Sequence, residues 1–249
     1  MEPIYVQNFE ITDQFVDRFG RLRGSQLLFI VQEMGGRHCE LLKLDYDALA
    51  RHRMFWAVTR HRVQVTRLPH RGETIRVETW PMPTTHAAFP RSVVAYDEKG
   101  EECFRAISLW VLMDLDTRNM ILPGKSGIIV PGTLRGTELA VPGGLIPRER
   151  GSLSSREVRF TDLDRNGHMN NTRYLEWMDD LFPSEFHRDH VLRELTVCYL
   201  AEAKEGQTLD MHYDCPDGSA VQVDATRTLD GETHRVFSAK LLFGGGEDA

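Results

Sequence analysis

The chain has 249 residues, 41% of them apolar and 27% charged, with a formal net charge of -7. That composition can fill one large core or two smaller ones, and no apolar run is long enough for a membrane span. The acidic balance argues against general nucleic-acid binding, which needs a basic footprint. Cys39, Cys103, Cys198 and Cys215 are scattered without a CxxC pair, so neither a zinc site nor a disulfide framework is suggested. Met1-Glu2-Pro3-Ile4-Tyr5 lacks the basic and apolar regions of a signal peptide, and a cytoplasmic protein is expected.

In chain order, a strand-like start (Ile4 to Ile11) precedes a long helix predicted over Gly24 to Leu44. Leu27, Leu28, Val31, Met34, Cys39, Leu41 and Leu42 give that helix a broad apolar surface, interrupted by Gly35-Gly36. Alternating segments follow at Val63 to Thr66, Ile75 to Trp80, Arg91 to Tyr96 and Cys103 to Met113, with a hairpin signal at Asp97 to Gly100. Residues 123–157, rich in Gly and Pro, are expected to be a linker.

Beyond it the pattern restarts with a polar loop and a helix over Thr172 to Phe182. Strands are then expected at Glu194 to Ala201, Thr208 to Tyr213, Ala220 to Thr228 and Arg235 to Phe243, with turn signals at Asp217-Gly218 and Asp230-Gly231. The halves can be laid over one another: Val63 to Ile75 over Val197 to Leu209, and Gly24 to Leu28 over Asn170 to Tyr174. An internal repeat is expected, with units at 1–122 and 158–243 and a disordered tail at 244–249. In that register Arg18, Gly20 and Leu22 face Asp164, Asn166 and His168, and Leu68 faces Glu202. One half carries reactive groups and the other lacks them.

The chemistry concentrates in Arg159 to Asn171, which holds two carboxylates, three carboxamides and an imidazole just before the second helix. Asn170 or Asn171 is a good N-cap, and a helix start suits developing negative charge. Asp162-Leu163-Asp164-Arg165-Asn166-Gly167 also opens like a calcium loop, but its twelfth position is Arg173, a cation where a bidentate Glu belongs. Asp162 is read as a cap of its own loop.

The run Asp164-x-Asn166-x-His168-Met169-Asn170-Asn171-x-x-Tyr174-x-x-Trp177 resembles the signature of acyl-acyl carrier protein (ACP) thioesterases. The resemblance extends to Phe55-Trp56-Ala57-Val58 and Leu195-Thr196-Val197-x-Tyr199. It implies an α+β fold of two tandem hotdog units, each a long helix wrapped by an antiparallel sheet. It implies hydrolysis of fatty acyl-ACP, with Asp164, Asn166, His168 and Glu202 at the catalytic positions, acyl carrier protein as partner, and no metal or organic cofactor. Ala203 stands where many plant relatives carry a Cys, which excludes a Cys–His mechanism at that position.

A thioester has a good leaving group, so an activated water and a stabilised oxyanion suffice. Glu202 or His168 can be the base. N–H groups around Asn170 to Thr172 can hold the oxyanion, and direct attack by a carboxylate stays open. Asn170, Asn171 and Tyr174 are expected at the acyl group, and Met34 and Gly35 at its tail. Arg51, Arg53, Arg60, Arg62, Arg67, Arg71, Arg148, Arg150 and Arg156 are candidates for docking an acidic carrier. An acyl-CoA thioesterase or a non-catalytic acyl sensor on the same fold are the alternatives, and a homodimer is compatible with the chain.

Overall fold

A computed structural model gives the fold and describes residues 3–147, 151–215 and 218–245. The chain divides into two compact units, Met1–Arg23 with Leu27–Pro142, and Gly24–Gln26 with Gly143–Ala249.

The first unit begins with strand β1 (Tyr5–Glu10), whose residues alternate between half-buried and exposed as a strand with one covered face requires. Helix α1 (Gly24–Leu41) follows, then the short α2 (Tyr46–Ala50), capped by Asp45 through the Ala48 N–H at 3.0 Å. Strands β2 (Met54–Val65), β3 (Thr74–Pro81), β4 (Phe89–Tyr96) and β5 (Glu102–Asp114) complete the sheet, with β6 (Met120–Ile121) beside β5. Its antiparallel order is β1-β3-β4-β5-β2. Leu27, Leu28, Ile30, Val31 and Met34 of α1 are buried, whereas Phe29 and Leu41 are exposed. The helix runs over β1 and β4, where Tyr5 stacks on His38 and Arg91 reaches the same ring.

The second unit repeats the plan with β7 (Ser152–Glu157), α4 (Arg173–Asp179), α5 (Ser184–Asp189), β8 (His190–Tyr199), β9 (Thr208–Asp214), β10 (Ala220–Leu229) and β11 (Glu232–Gly245), after the single-turn helix α3 (Pro123–Ser126). Its antiparallel order, β8-β11-β10-β9-β7, matches that of the first unit strand for strand. The repeat extends to single hydrogen bonds. Ile11 N–H donates to Glu73 O and Gly72 N–H to Ile11 O; Val158 N–H donates to Gln207 O and Gly206 N–H to Val158 O. The β10–β11 hairpin closes on Asp230-Gly231, both at positive φ between the paired Leu229 and Glu232, as a two-residue loop of that sequence prefers.

Three expectations change. The second helix is not long: it stops at Asp179, and α5 begins only after Pro183, because proline lacks the N–H that a continuing helix would use and restricts the residue before it. The 123–157 stretch, expected to be a linker, carries regular structure at both ends: α3 at its start, and Ser152–Glu157 paired with β9. Gly244 and Gly245 belong to β11, paired with Val191 and His190, and only 246–249 of the expected tail lie outside the described residues, as does Asp217.

Candidate active site

The Asp164 turn is built by its own backbone. Leu163 and Met169 form an isolated antiparallel bridge, Asp164 N–H donates to His168 O at 2.8 Å, and Gly167 N–H donates to Asp164 O at 3.0 Å. Gly167 sits at φ +75°, where a side chain would strain the chain. Asp164 Oδ1 accepts the N–H groups of Asn166 (2.8 Å) and His168 (3.3 Å), and Oδ2 accepts Asn166 Nδ2–H at 3.3 Å. One carboxylate therefore fixes the turn and aims the Asn166 carboxamide, which stays exposed.

Behind the turn, Met169 N–H donates to Ala203 O at 2.8 Å. That bond draws the chain after β8 alongside the loop and brings the preceding residues together: His168 Nε2 lies 3.1 Å from Glu202 Oε2. The His168 side chain is 10% exposed and that of Glu202 46%. With a carboxylate as acceptor, the His168 proton sits on Nε2. Arg227 of β10 holds the Glu202 backbone by donating Nη1–H to its carbonyl, and also donates to Gln207 Oε1 at 2.9 Å.

The base of the site is apolar. Tyr174 of α4 is buried, with ring contacts to Tyr199 (5.5 Å) and Phe237 (4.8 Å), which face each other across β8 and β11. Burial pushes the Tyr174 hydroxyl above its ordinary range. Arg227 opposes that rise, and the Glu202 and Asp164 carboxylates add to it. Trp177 is fully buried and donates Nε1–H to Asp162 Oδ1 at 3.3 Å, while Asp162 Oδ2 accepts the Arg159 N–H at 3.0 Å. One Asp162 oxygen thus caps the loop backbone and the other ties the loop to α4.

Asp164, Asn166, His168 and Glu202 come together in the second unit with Tyr174 nearby. Asn170 does not cap α4 as its N-cap residue. That position is Thr172, and Asn170 Oδ1 accepts the Thr172 N–H and hydroxyl, both at 2.9 Å. The Asn170 N–H is bound to Asp162 O. Of the three expected oxyanion donors, Asn171 N–H alone has no acceptor among the described residues, and Asn171 O accepts the Tyr199 hydroxyl at 3.0 Å. Met34 and Gly35 are buried in the helix of the first unit. Arg227 escaped sequence reasoning because an arginine in a strand carries the same pattern as a solvated face.

Residues 2–122 match the acyl-ACP thioesterase N-terminal domain, and residues 147–240 the acyl-ACP thioesterase C-terminal domain. Among curated proteins, the chain is 28% identical over 224 residues to the chloroplastic acyl-[acyl-carrier-protein] hydrolase FATB3 of Cuphea viscosissima, covering 82% of this chain and 52% of that one. It is 24% identical over 201 residues to the chloroplastic oleoyl-acyl carrier protein thioesterase 1 of Arabidopsis thaliana, covering 73% and 55%. The chain thus spans about half the length of these relatives. An acyl-ACP thioesterase structure from Bacteroides thetaiotaomicron superposes with a TM-score of 0.87 at 24% identity, covering 97% of this chain and 98% of that one. The 12:0-ACP thioesterase of Umbellularia californica gives 0.83 at 22%, covering 98% of each. The architecture is the α+β hotdog type of those structures, and with both halves matched, the chain belongs to the acyl-ACP thioesterase family.

Proposed function

We propose that the chain is a thioester hydrolase of fatty acid biosynthesis that cleaves fatty acyl-ACP to the free fatty acid and the carrier thiol. The contact of His168 with Glu202 at 3.1 Å, beside the Asn166 carboxamide that Asp164 aims, carries this reading. Glu202 is the more exposed member of the pair, so it meets water first and acts as general base, typically worth about 10²–10⁴-fold. His168 donates Nε2–H to the carboxylate and holds it in place. As the water oxygen bonds to the acyl carbon, its proton passes to Glu202. The carbonyl oxygen takes the negative charge against Asn171 N–H and the Asn166 amide. Collapse breaks the C–S bond, and the proton held on Glu202 neutralises the departing thiolate.

Acyl carrier protein is the proposed partner, supported by family membership and by the acyl-ACP substrates in the names of the relatives. Met34 and Gly35 are proposed for the acyl tail, and Asn170 for shaping the Asn171 N–H. No helix among the described residues is long and apolar enough to cross a membrane. Cys39, Cys103 and Cys198 carry free thiols, which suits a reducing compartment such as the proposed cytoplasm.

The test is steady-state hydrolysis of acyl-ACP and acyl-CoA with the same acyl group. Higher kcat/KM on the ACP thioester, lost in Glu202→Gln, is expected. Equal rates on both carriers would make the protein a general acyl thioesterase. No hydrolysis with retained acyl binding would make it a sensor.

A further inference from the structure

The first unit buries a cation that no carboxylate balances among the described residues. Arg91 of β4 is 6% exposed, and none of its contacts among the described residues is an ion pair. Its Nη1 donates to His38 Nδ1 at 3.0 Å and lies 3.3 Å from Thr79 Oγ1; Nη2 lies 3.8 Å from Cys39 Sγ. Acceptance at Nδ1 makes His38 a neutral imidazole protonated at Nε2. Cys39 does not supply the missing charge, because burial raises its thiol even though Arg91 pulls the other way. A guanidinium stays charged in proteins, and a buried charge without a counter-charge is costly.

The unbalanced charge has a defined direction. The edge of the guanidinium formed by Nε and Nη2 is the one that grips a carboxylate side-on. Nε–H has no acceptor among the described residues, and Nη2 has only the thiol, a weak one. Gly35 of α1 keeps this edge clear. A Cβ there would stand 3.4 Å from Arg91 Cδ and 3.7 Å from Nε, with no other neighbouring atom within 4 Å. Gly35 costs the helix stability at a place where a side chain would stand against Nε.

We propose that Arg91 binds a single carboxylate through its Nε and Nη2 edge, beside Gly35. The ligand is a free fatty carboxylate. Its alkyl chain rests on the hydrolytic reading above, whose product it is; the carboxylate grip does not.

Equilibrium binding to the full chain separates the possibilities, with dodecanoate and dodecan-1-ol as probes at constant ionic strength. Dodecanoate should bind at least about tenfold tighter than the alcohol, since charged hydrogen bonds are at stake. Arg91→Met should erase that preference, Arg91→Lys should restore part of it, and Gly35→Val should weaken dodecanoate more than the alcohol. An equal effect on both probes, or an undiminished preference in Arg91→Met, overturns the proposal. Failure to cleave dodecanoyl-ACP, with the probe preference intact, would count against the hydrolase and leave the carboxylate site standing.

Discussion

Asp17 and Asp164 hold the same place in two copies of one turn. Asp17 Oδ1 accepts the N–H groups of Phe19 (2.8 Å) and Arg21 (3.1 Å), two and four residues on, as Asp164 Oδ1 does for Asn166 and His168. Asp17 N–H donates to Arg21 O, Gly20 N–H to Asp17 O and Leu22 N–H to Pro69 O, matching the bonds of Asp164, Gly167 and Met169. The counterparts of Asp164, Asn166 and His168 are therefore Asp17, Phe19 and Arg21, one residue away from the register suggested by the sequence. The first unit retains the carboxylate, spends its second oxygen on Arg21 at 3.2 Å, and lacks the amide, the imidazole and the glutamate.

The pair supplies its own control. Asp17→Ala and Asp164→Ala remove the same turn acceptor, so each should cost about 1 kcal/mol of stability. Only Asp164→Ala should lower turnover, through a misaimed Asn166. Denaturant midpoints and kcat measured on both variants check this, and equal kcat values would reduce Asp164 to a turn residue.

Glu202→Gln and His168→Ala should each lower turnover by about a hundredfold or more in a folded protein. Both residues lack an equivalent in the first unit, where Arg21 and Leu68 stand. Replacing Cys39, Cys103, Cys198 and Cys215 with Ser or Ala should leave hydrolysis largely intact. Activity that survives in His168→Ala but vanishes in a folded cysteine-free variant would reinstate a thiol nucleophile.

Sequence reasoning reached the strands and the reactive loop because their signals are local. Alternation marks one face of a strand, and Asp-Gly marks the turn at Asp230-Gly231. It misread what depends on distant partners. The Tyr174 to Phe182 stripe keeps helical spacing through Asp180, so only Pro183 betrays the break. Ser152–Glu157 alternates too weakly to announce a strand that exists by pairing with β9. Glu202 was found by comparing halves; Arg227, which holds its backbone, leaves no trace that spacing can detect.

Docking of an acidic carrier should depend on fewer arginines than the sequence offers. Arg53 pairs with Asp116, Arg67 with Glu73 and Asp97, Arg71 with Asp13, and Arg156 with Asp180, while Arg60 binds Pro142 O. Arg148 and Arg150 lie outside the described residues. Arg51 is exposed and makes no ion pair among the described residues. A modest rise of KM with salt is expected for acyl-ACP and none for a small acyl thioester, with Arg51→Ala flattening the former. Identical salt profiles for the two substrates would speak against basic docking.

Acid should weaken the first unit through His61. This side chain is 1% exposed, its Nδ1 lies 2.8 Å from Ser108 Oγ, and burial lowers it from 6.5 to about 4. The unfolded chain therefore binds the proton that the folded one refuses, between about pH 6.5 and about pH 4. The contribution is whole above that window and shrinks as pH falls through it, by on the order of 3 kcal/mol in all. Urea titrations across the window should show a shallower loss for His61→Gln than for the parent protein. Parallel slopes would assign acid sensitivity to other groups.

Gly35 offers the last test, because two side chains there should act oppositely. Alanine places its Cβ 3.4 Å from Arg91 Cδ, tight but against the stem of a long side chain, and recovers about 1 kcal/mol of helix propensity. Gly35→Ala should thus be near neutral in stability and in chain-length preference. Leucine adds three further carbons into the same space and must push the Arg91 stem aside or fill the room proposed for the acyl tail. Each tail methylene denied burial forfeits about 0.8 kcal/mol, roughly fourfold in affinity, so Gly35→Leu should shift the best substrate toward shorter acyl chains. A bulky residue at Met34, fully buried on the same helix, should do likewise. Competition among acyl-ACPs of graded length reads the shift directly, and an unchanged profile in a folded Gly35→Leu protein would exclude the tail from this part of the first unit.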